Sequence, residues 1–151
     1  MKKIVSGVGR ERLLVDPQMA IQLGLTNIRN QNFKDAWDIM GPVFDSLPVT
    51  NPARITLANN ILTALIGLDN QSRVLAFITK HQPEIPPEHD AAPFWAGNAG
   101  NFLLKSKQPK KALEILVPVF NKLADDHQLK ADLAIKICQS YIQLRQLNPR
   151  T

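Results

Sequence analysis

The sequence predicts an all-α fold, a solenoid of about three antiparallel helix pairs followed by a C-terminal helix, about seven helices in all. Three observations predict it. First, the segment 17–68 is repeated without a gap at 93–144, a shift of 76 residues. That shift aligns Ala20 with Ala96, Gly24 with Gly100, Lys34 with Lys110, Ala36 with Ala112 and Ile39 with Ile115. It also aligns Pro42-Val43-Phe44 with Pro118-Val119-Phe120, and further on Leu47 with Leu123, Leu57 with Leu133, Ala58 with Ala134, Ile61 with Ile137, Ile66 with Ile142 and Leu68 with Leu144. Second, most of the retained residues are small or apolar, so packing is what has been kept, as in stacked repeats that bury each unit against its neighbours. Third, apolar residues recur at three and four residues, and strand alternation is absent.

The elements follow in order. Residues 1–15 carry no sustained amphipathic pattern and read as an N-terminal tail that continues into the first helix. Asp16 is a good N-cap and Pro17 suits a first helical turn, so a helix runs from Pro17 to about Asn30. Asn30-Gln31-Asn32 makes a tight connection. The second helix spans about 33–47, with Phe33, Ala36, Trp37, Met40, Val43, Phe44 and Leu47 on one buried face. Pro48 to Pro52 is a turn, with Asn51 as cap to a third helix that runs to about Gly67. A short fourth helix covers about 70–80. Pro83, Pro86 and Pro87 make 82–90 a loop. The pattern restarts at about 92–106, 109–124 and 129–147, Asp125-Asp126 reading as the cap of the last helix, and 148–151 form a C-terminal tail. Residues 16–147 are read as a single helical domain. Pro42 and Pro118 fall inside their helices, where each removes a backbone hydrogen bond and is expected to kink or end the helix.

Composition excludes several classes. With one cysteine, Cys138, no intramolecular disulfide forms and no structural zinc site is implied. No stretch approaches the roughly 20 apolar residues of a membrane span. Met1-Lys2-Lys3 precedes an apolar run that is short, broken by glycine and followed by Arg10-Glu11-Arg12, unlike a signal peptide. A cytoplasmic protein is expected. His81, His89 and His127 are scattered, and there is no phosphate loop, nucleophile elbow or paired carboxylates on an apolar face, so neither an enzyme nor a metal or cofactor is expected. The net charge of +5 raises the question of nucleic acid. Its densest basic group is the corner Lys105, Lys107, Lys110 and Lys111; charge runs of this kind are most often solvated surface.

Leu23-Gly24, then Ala36 twelve residues on, then Pro48 after another twelve, resembles the helix-turn-helix pattern of tetratricopeptide-repeat proteins. The second copy matches at Ala99-Gly100 and Ala112 but has Ala124 where the proline would stand. The middle unit keeps Pro86 but has Leu62 and Val74 in place of the Gly and Ala. The family's first-helix aromatic residues are absent, Ala20 and Asn27, and Ala96 and Leu103, standing in their places. The resemblance covers about 17–144. It implies a concave groove, lined by the first helix of each pair, that holds a peptide or a partner's helix. It also implies the work of an adaptor, chaperone or scaffold, for instance within a bacterial signalling or secretion system.

Two surfaces are candidates for binding. On the helix near 92–106, Phe94, Asn98, Asn101 and Lys105 share a face at spacings of four, three and four. Thr56, Asn59, Asn60 and Thr63 make a similar stripe on the third helix, and Gln18, Gln22 and Arg29 on the first. Amides flanked by Arg29 and Lys105 suit an extended peptide backbone and a carboxylate, the resemblance turning these faces to the groove. The plainer reading is a solvated helix face. On the last helix, Leu129, Leu133, Ile137, Tyr141 and Leu144 form one apolar face and Ala131, Ile135, Cys138 and Ile142 another. The second face either sinks into the fold or contacts another subunit or protein through Ile135, Cys138 and Ile142. Cys138 replaces Leu62 of the first copy, which reads as a small hydrophobe buried in the core or at an interface. Trp37 and Trp95 read as core, with Trp95 beside Phe94 as an alternative stacking residue. The expected function is a noncatalytic protein-binding module able to form a homodimer; the alternative is an RNA-binding helical repeat that uses the basic corner.

Overall fold

In the computed structural model, residues 16–147 are described; the two expected tails, 1–15 and 148–151, lie outside them. The described residues form seven α-helices and no strand: α1 (Pro17–Arg29), α2 (Phe33–Ser46), α3 (Pro52–Gly67), α4 (Gln71–His81), α5 (Ala92–Lys105), α6 (Pro109–Lys122) and α7 (Lys130–Leu147). The fold is all-α, built of packed helix pairs. By contact the chain divides into two compact units, Met1–Phe77 and Ile78–Thr151, with the boundary inside α4.

In the first unit α1 packs on α2, α2 on α3 and α1 on α3. The core is Ala20, Ile21, Ala36, Ile39, Met40, Val43, Phe44, Leu57, Ile61 and Leu62. Gly24 lets α1 and α2 approach closely: a Cβ there would run into Met40 Sδ. Phe77 meets the Phe44 ring at 5.7 Å, and the Arg73 guanidinium lies 5.0 Å from the centre of the Trp37 ring.

The second unit makes the same contacts 76 residues later. Its α5, α6 and α7 pack pairwise, and its core is Trp95, Ala96, Ala99, Leu103, Ala112, Ile115, Leu116, Val119 and Leu133. A Cβ on Gly100 would lie 2.8 Å from Leu116 Cδ2, and Leu116 is the counterpart of Met40. The two glycines therefore occupy equivalent seams, as the duplication requires.

Helix boundaries follow the expected chemistry. Asp16 Oδ1 accepts from Met19 N–H at 3.4 Å, and Asn51 Oδ1 accepts from Ala53 N–H at 2.9 Å. At the counterpart of Asn51, the ring Nδ1 of His127 accepts from Leu129 N–H at 3.0 Å. This corrects the expected cap at Asp125-Asp126, which lies in the turn before it. Pro42 and Pro118 neither end nor break their helices, which run on to Ser46 and Lys122. Both prolines are on the exposed side, and so are Asp38 and Glu114 four residues earlier, whose carbonyls lose a partner where water can replace it.

The turns after α1 and α5 are the same motif. Asn32 N–H bonds back to Asn27 O at 2.7 Å and Gln31 N–H to Ile28 O at 2.9 Å; Gln108 to Leu103 (2.8 Å) and Lys107 to Leu104 (3.2 Å) repeat them. This is the Schellman arrangement, and its left-handed position is held by Gln31 and Lys107, each at φ 61°. Side chains there cost about 1 kcal/mol relative to glycine. Gln31→Gly and Lys107→Gly should therefore each raise the unfolding free energy by about 1 kcal/mol, measured by urea denaturation. A loss of stability would show that these side chains make contacts that outweigh the backbone strain.

Candidate functional site

The candidate residues fall into both units. In the first unit Arg29 ends α1 with its side chain exposed, and Asn59 and Thr63 are half-buried on α3, the Thr63 hydroxyl donating to Asn59 O at 3.2 Å. Asn60 is only 8% exposed, so the amide expected to point to a groove is turned into the unit. The helical wheel places Asn59 and Asn60 about 100° apart, and the wider apolar circumference of α3 takes in the second of them. Such a helix is buried on more than one side.

In the second unit Phe94, Asn101 and Lys105 are exposed along α5 and Asn98 is half-buried between them. These four do share one face. Trp95, next to Phe94, is fully buried, and its indole N–H donates to Gln82 Oε1. The alternative of Trp95 as a ligand-stacking residue is thereby corrected, and Phe94 is the exposed aromatic residue of the strip.

The α7 surface is the more pronounced one. Ile135 is 57% and Ile142 58% exposed, and Cys138 between them is exposed as well. The core reading of Cys138 is therefore corrected; what remains is the interface reading. Tyr141, expected on the inner face, is 54% exposed and flanks the same stripe. The inner face is carried by Leu133, by Ile137 and Leu144 at its edges, and by Ser140, whose hydroxyl donates to Lys136 O at 2.7 Å. Gln143 Nε2 also reaches across to Leu104 O at 2.9 Å, fixing α7 on α5.

The duplication supplies an internal comparison for that stripe. The residues 76 positions before Ala131, Cys138 and Tyr141 are Ile55, Leu62 and Leu65, and all three are buried. The counterparts of Ile135 and Ile142, Asn59 and Ile66, are half-buried, so the same helix face is more deeply buried in the first copy than in the second. Charge differs between the copies in a similar way. Lys105, Lys107, Lys110 and Lys111 are all exposed, while their counterparts are Arg29, Gln31, Lys34 and Asp35. Lys34 is moreover paired with Asp38 at 3.1 Å.

The three histidines serve local structure. His127 and His89 each accept a backbone N–H through Nδ1, from Leu129 and Ala91, and His81 lies 3.0 Å from Glu84. Among the described residues there is no group of three or more His, Cys, Asp or Glu that could hold a metal ion, and no helix is long and apolar enough to cross a membrane.

One device went unread in the sequence. Arg54 donates to Phe44 O and Leu47 O at 2.6 and 3.0 Å, with its guanidinium 4.0 Å from the centre of the Phe44 ring. Lys130, its counterpart, donates to Phe120 O and Leu123 O at 3.2 and 2.9 Å and lies 4.4 Å from the Phe120 ring centre. A basic residue at this register position in both copies was the available signal. Models of known protein families, curated proteins and solved structures were all compared with this chain, and none matches it.

Proposed function

We propose that this chain is a noncatalytic, tetratricopeptide-like helical-repeat module that works by binding a helix of another protein on the outer face of α7. One observation carries the reading: Ile135, Cys138, Tyr141 and Ile142 are exposed together, whereas Leu62 and Leu65 of the first copy are buried at the positions of Cys138 and Tyr141. Contiguous exposed apolar side chains of this kind mark interaction sites. The face also has the three-and-four spacing that receives an amphipathic helix. The strip Phe94, Asn98, Asn101 and Lys105 on α5 is a secondary contact for an extended peptide, the groove role that the repeat resemblance implies. A second reading, an RNA or other polyanion held at Lys105, Lys107, Lys110 and Lys111, is favoured by the charge difference between the two corners.

Affinity capture with the tagged chain, its Ile142→Asp variant and a variant with all four corner lysines reversed to Glu tests both. The proposed reading expects the captured protein to be lost with Ile142→Asp and kept with the lysine reversal, with melting temperature unchanged in each. Capture that survives Ile142→Asp but falls steeply with salt, and on lysine reversal, would replace it by the second reading.

A further inference from the structure

The second copy departs from the first along one strip of α5. Phe94, Gly97, Asn101 and Lys105 follow one another at spacings of three, four and four, so they lie along one side of the helix. Their counterparts 76 positions earlier are Gln18, Ile21, Leu25 and Arg29. An aromatic ring, a bare backbone position and an amide thus stand where the first copy has an amide and two aliphatic side chains, and only the terminal cation is common to both.

Gly97 is the informative member. Gly24 and Gly100 lack a side chain because a neighbouring helix takes the space, but a Cβ on Gly97 would lie 3.9 Å from Asp132 Oδ2 and 4.0 Å from Leu133 Cδ2, ordinary contact distances. Packing among the described residues therefore does not require the glycine, whose presence in the middle of α5 weakens the helix. A bare backbone that the fold does not need is room for something that approaches the helix closely.

What approaches is read from the neighbours. Phe94, 46% exposed, offers an aromatic ring one turn before Gly97, and the exposed Asn101 offers a donor and an acceptor one turn after it. Asp132, which would repel a phosphate at this level, is neutralised by Lys136 at 2.6 Å. Beyond Asn101 the strip runs into Lys105, and the turn that follows adds Lys107, Lys110 and Lys111, all exposed and none in an ion pair among the described residues. A flat ring that stacks on an aromatic side chain, hydrogen-bonds at its edge and is joined to a row of anions is a nucleobase on its backbone. We infer that α5 holds a short single-stranded stretch of nucleic acid, with a base against Phe94 and Gly97, its edge at Asn101, and the phosphates running to the lysine corner. From Phe94 to Lys105 the helix rises about 17 Å, the length of about five stacked nucleotides at about 3.4 Å each. This extends the second reading of the lysine corner and is independent of the α7 surface.

Fluorescence anisotropy of labelled oligoadenosine strands with the full chain tests this, RNA and DNA of the same length being compared so that the tighter of the two identifies the sugar. The expected result is saturable binding whose logarithm falls with the logarithm of salt at a slope of about −3, the value for four lysine contacts on a single strand. Phe94→Ala should weaken binding about tenfold, the ordinary effect of removing one base stack. Gly97→Gln should weaken it too while leaving the melting temperature no lower than that of the wild type, because the fold has room for the Cβ and a helix prefers glutamine to glycine. A merely structural glycine would not give that pair of effects. Replacing all four lysines with glutamine should abolish binding, and Gln31 already holds the position of Lys107 in the first copy. No binding by the wild-type chain overturns the inference and the second reading with it. Binding that the four-lysine variant loses but Phe94→Ala and Gly97→Gln keep overturns the inference and leaves the corner as a plain polyanion surface. Competition by polyglutamate as effective as that of the unlabelled strand has the same consequence. In either case the α7 reading stands on its own capture experiment.

Discussion

Trp95→Ala should lower the unfolding free energy by about 3–5 kcal/mol, the usual cost of replacing a fully buried large aromatic residue with alanine. Trp95 has no exposed surface and sits in α5 among the buried Ala92, Ala96 and Ala99. Its side chain is wholly enclosed, so truncation leaves a cavity. The substitution also strands Gln82, which accepts the indole N–H from a short 3₁₀ turn, Gln82–Glu84, at the head of the proline-rich connection. That connection was expected to be plain loop, but Ile85 is buried within it and His81 pairs with Glu84, so it is fastened to the second unit. Gln82→Leu should cost less, about 0.5–1.5 kcal/mol, because it removes one hydrogen bond without opening a cavity. Denaturation followed by far-ultraviolet circular dichroism gives both numbers. A Trp95→Ala protein as stable as the wild type would mean that the indole is not core, and would return it to the list of surface aromatics.

The sequence disclosed direction better than depth. Helix ends could be read because they depend on local chemistry: Asp16 with Pro17 and Asn51 with Pro52 satisfy backbone donors that lie within three residues of them. The seams of Gly24 and Gly100 could be read because duplication kept a residue without a side chain at the same place twice. Asn60 and Tyr141 were misplaced for one shared reason. Each lies near the boundary between two faces of its helix, where a wheel gives an angle but not the height of the neighbouring helices. The prolines of α2 and α6 stay inside their helices, as the repeat implied, and the alternative that the helices end before them does not hold: the lost hydrogen bond matters less on an exposed face, where the orphaned carbonyl meets water. His127 was missed as a cap because a ring nitrogen does the work of the amide oxygen that its counterpart Asn51 supplies. On function, the sequence identified Ile135, Cys138 and Ile142 as a surplus apolar face, and geometry was needed to add Tyr141 to it.

The second large effect belongs to Arg54 and Lys130. The last carbonyls of a helix have no partner within it, and at the ends of α2 and α6 a cation from the next helix takes two of them at once. Pro48 follows the end of α2 and has no N–H to offer; the Arg54 guanidinium shares Phe44 O with the Leu47 N–H, which donates to it at 3.3 Å, and also donates to Leu47 O. Hydrogen bonds from a charged donor contribute about 1.5–3 kcal/mol, and a cation at a helix C-terminus or over an aromatic ring adds up to about 1 kcal/mol. Arg54→Ala and Lys130→Ala should each therefore lower stability by about 2–3 kcal/mol, with the contacts counted together rather than summed. Arg54→Met separates the causes, since it keeps the stem against Phe44 and removes only the donor; it should lose most of that stability. Arg54→Lys should lose less than 1 kcal/mol or so, because Lys130 already reaches the equivalent pair of carbonyls with a single ammonium. The Lys130 ion pair with Asp125 adds little, as that carboxylate is fully exposed and the separation is 3.5 Å, so Asp125→Ala serves as the silent control. The two cations lie in different compact units, so the double substitution Arg54→Ala with Lys130→Ala should be additive. Urea denaturation of the six variants decides it. A Met variant as stable as the wild type would leave packing on the ring as the whole contribution, and the shared carbonyl clasp would then be a contact without consequence.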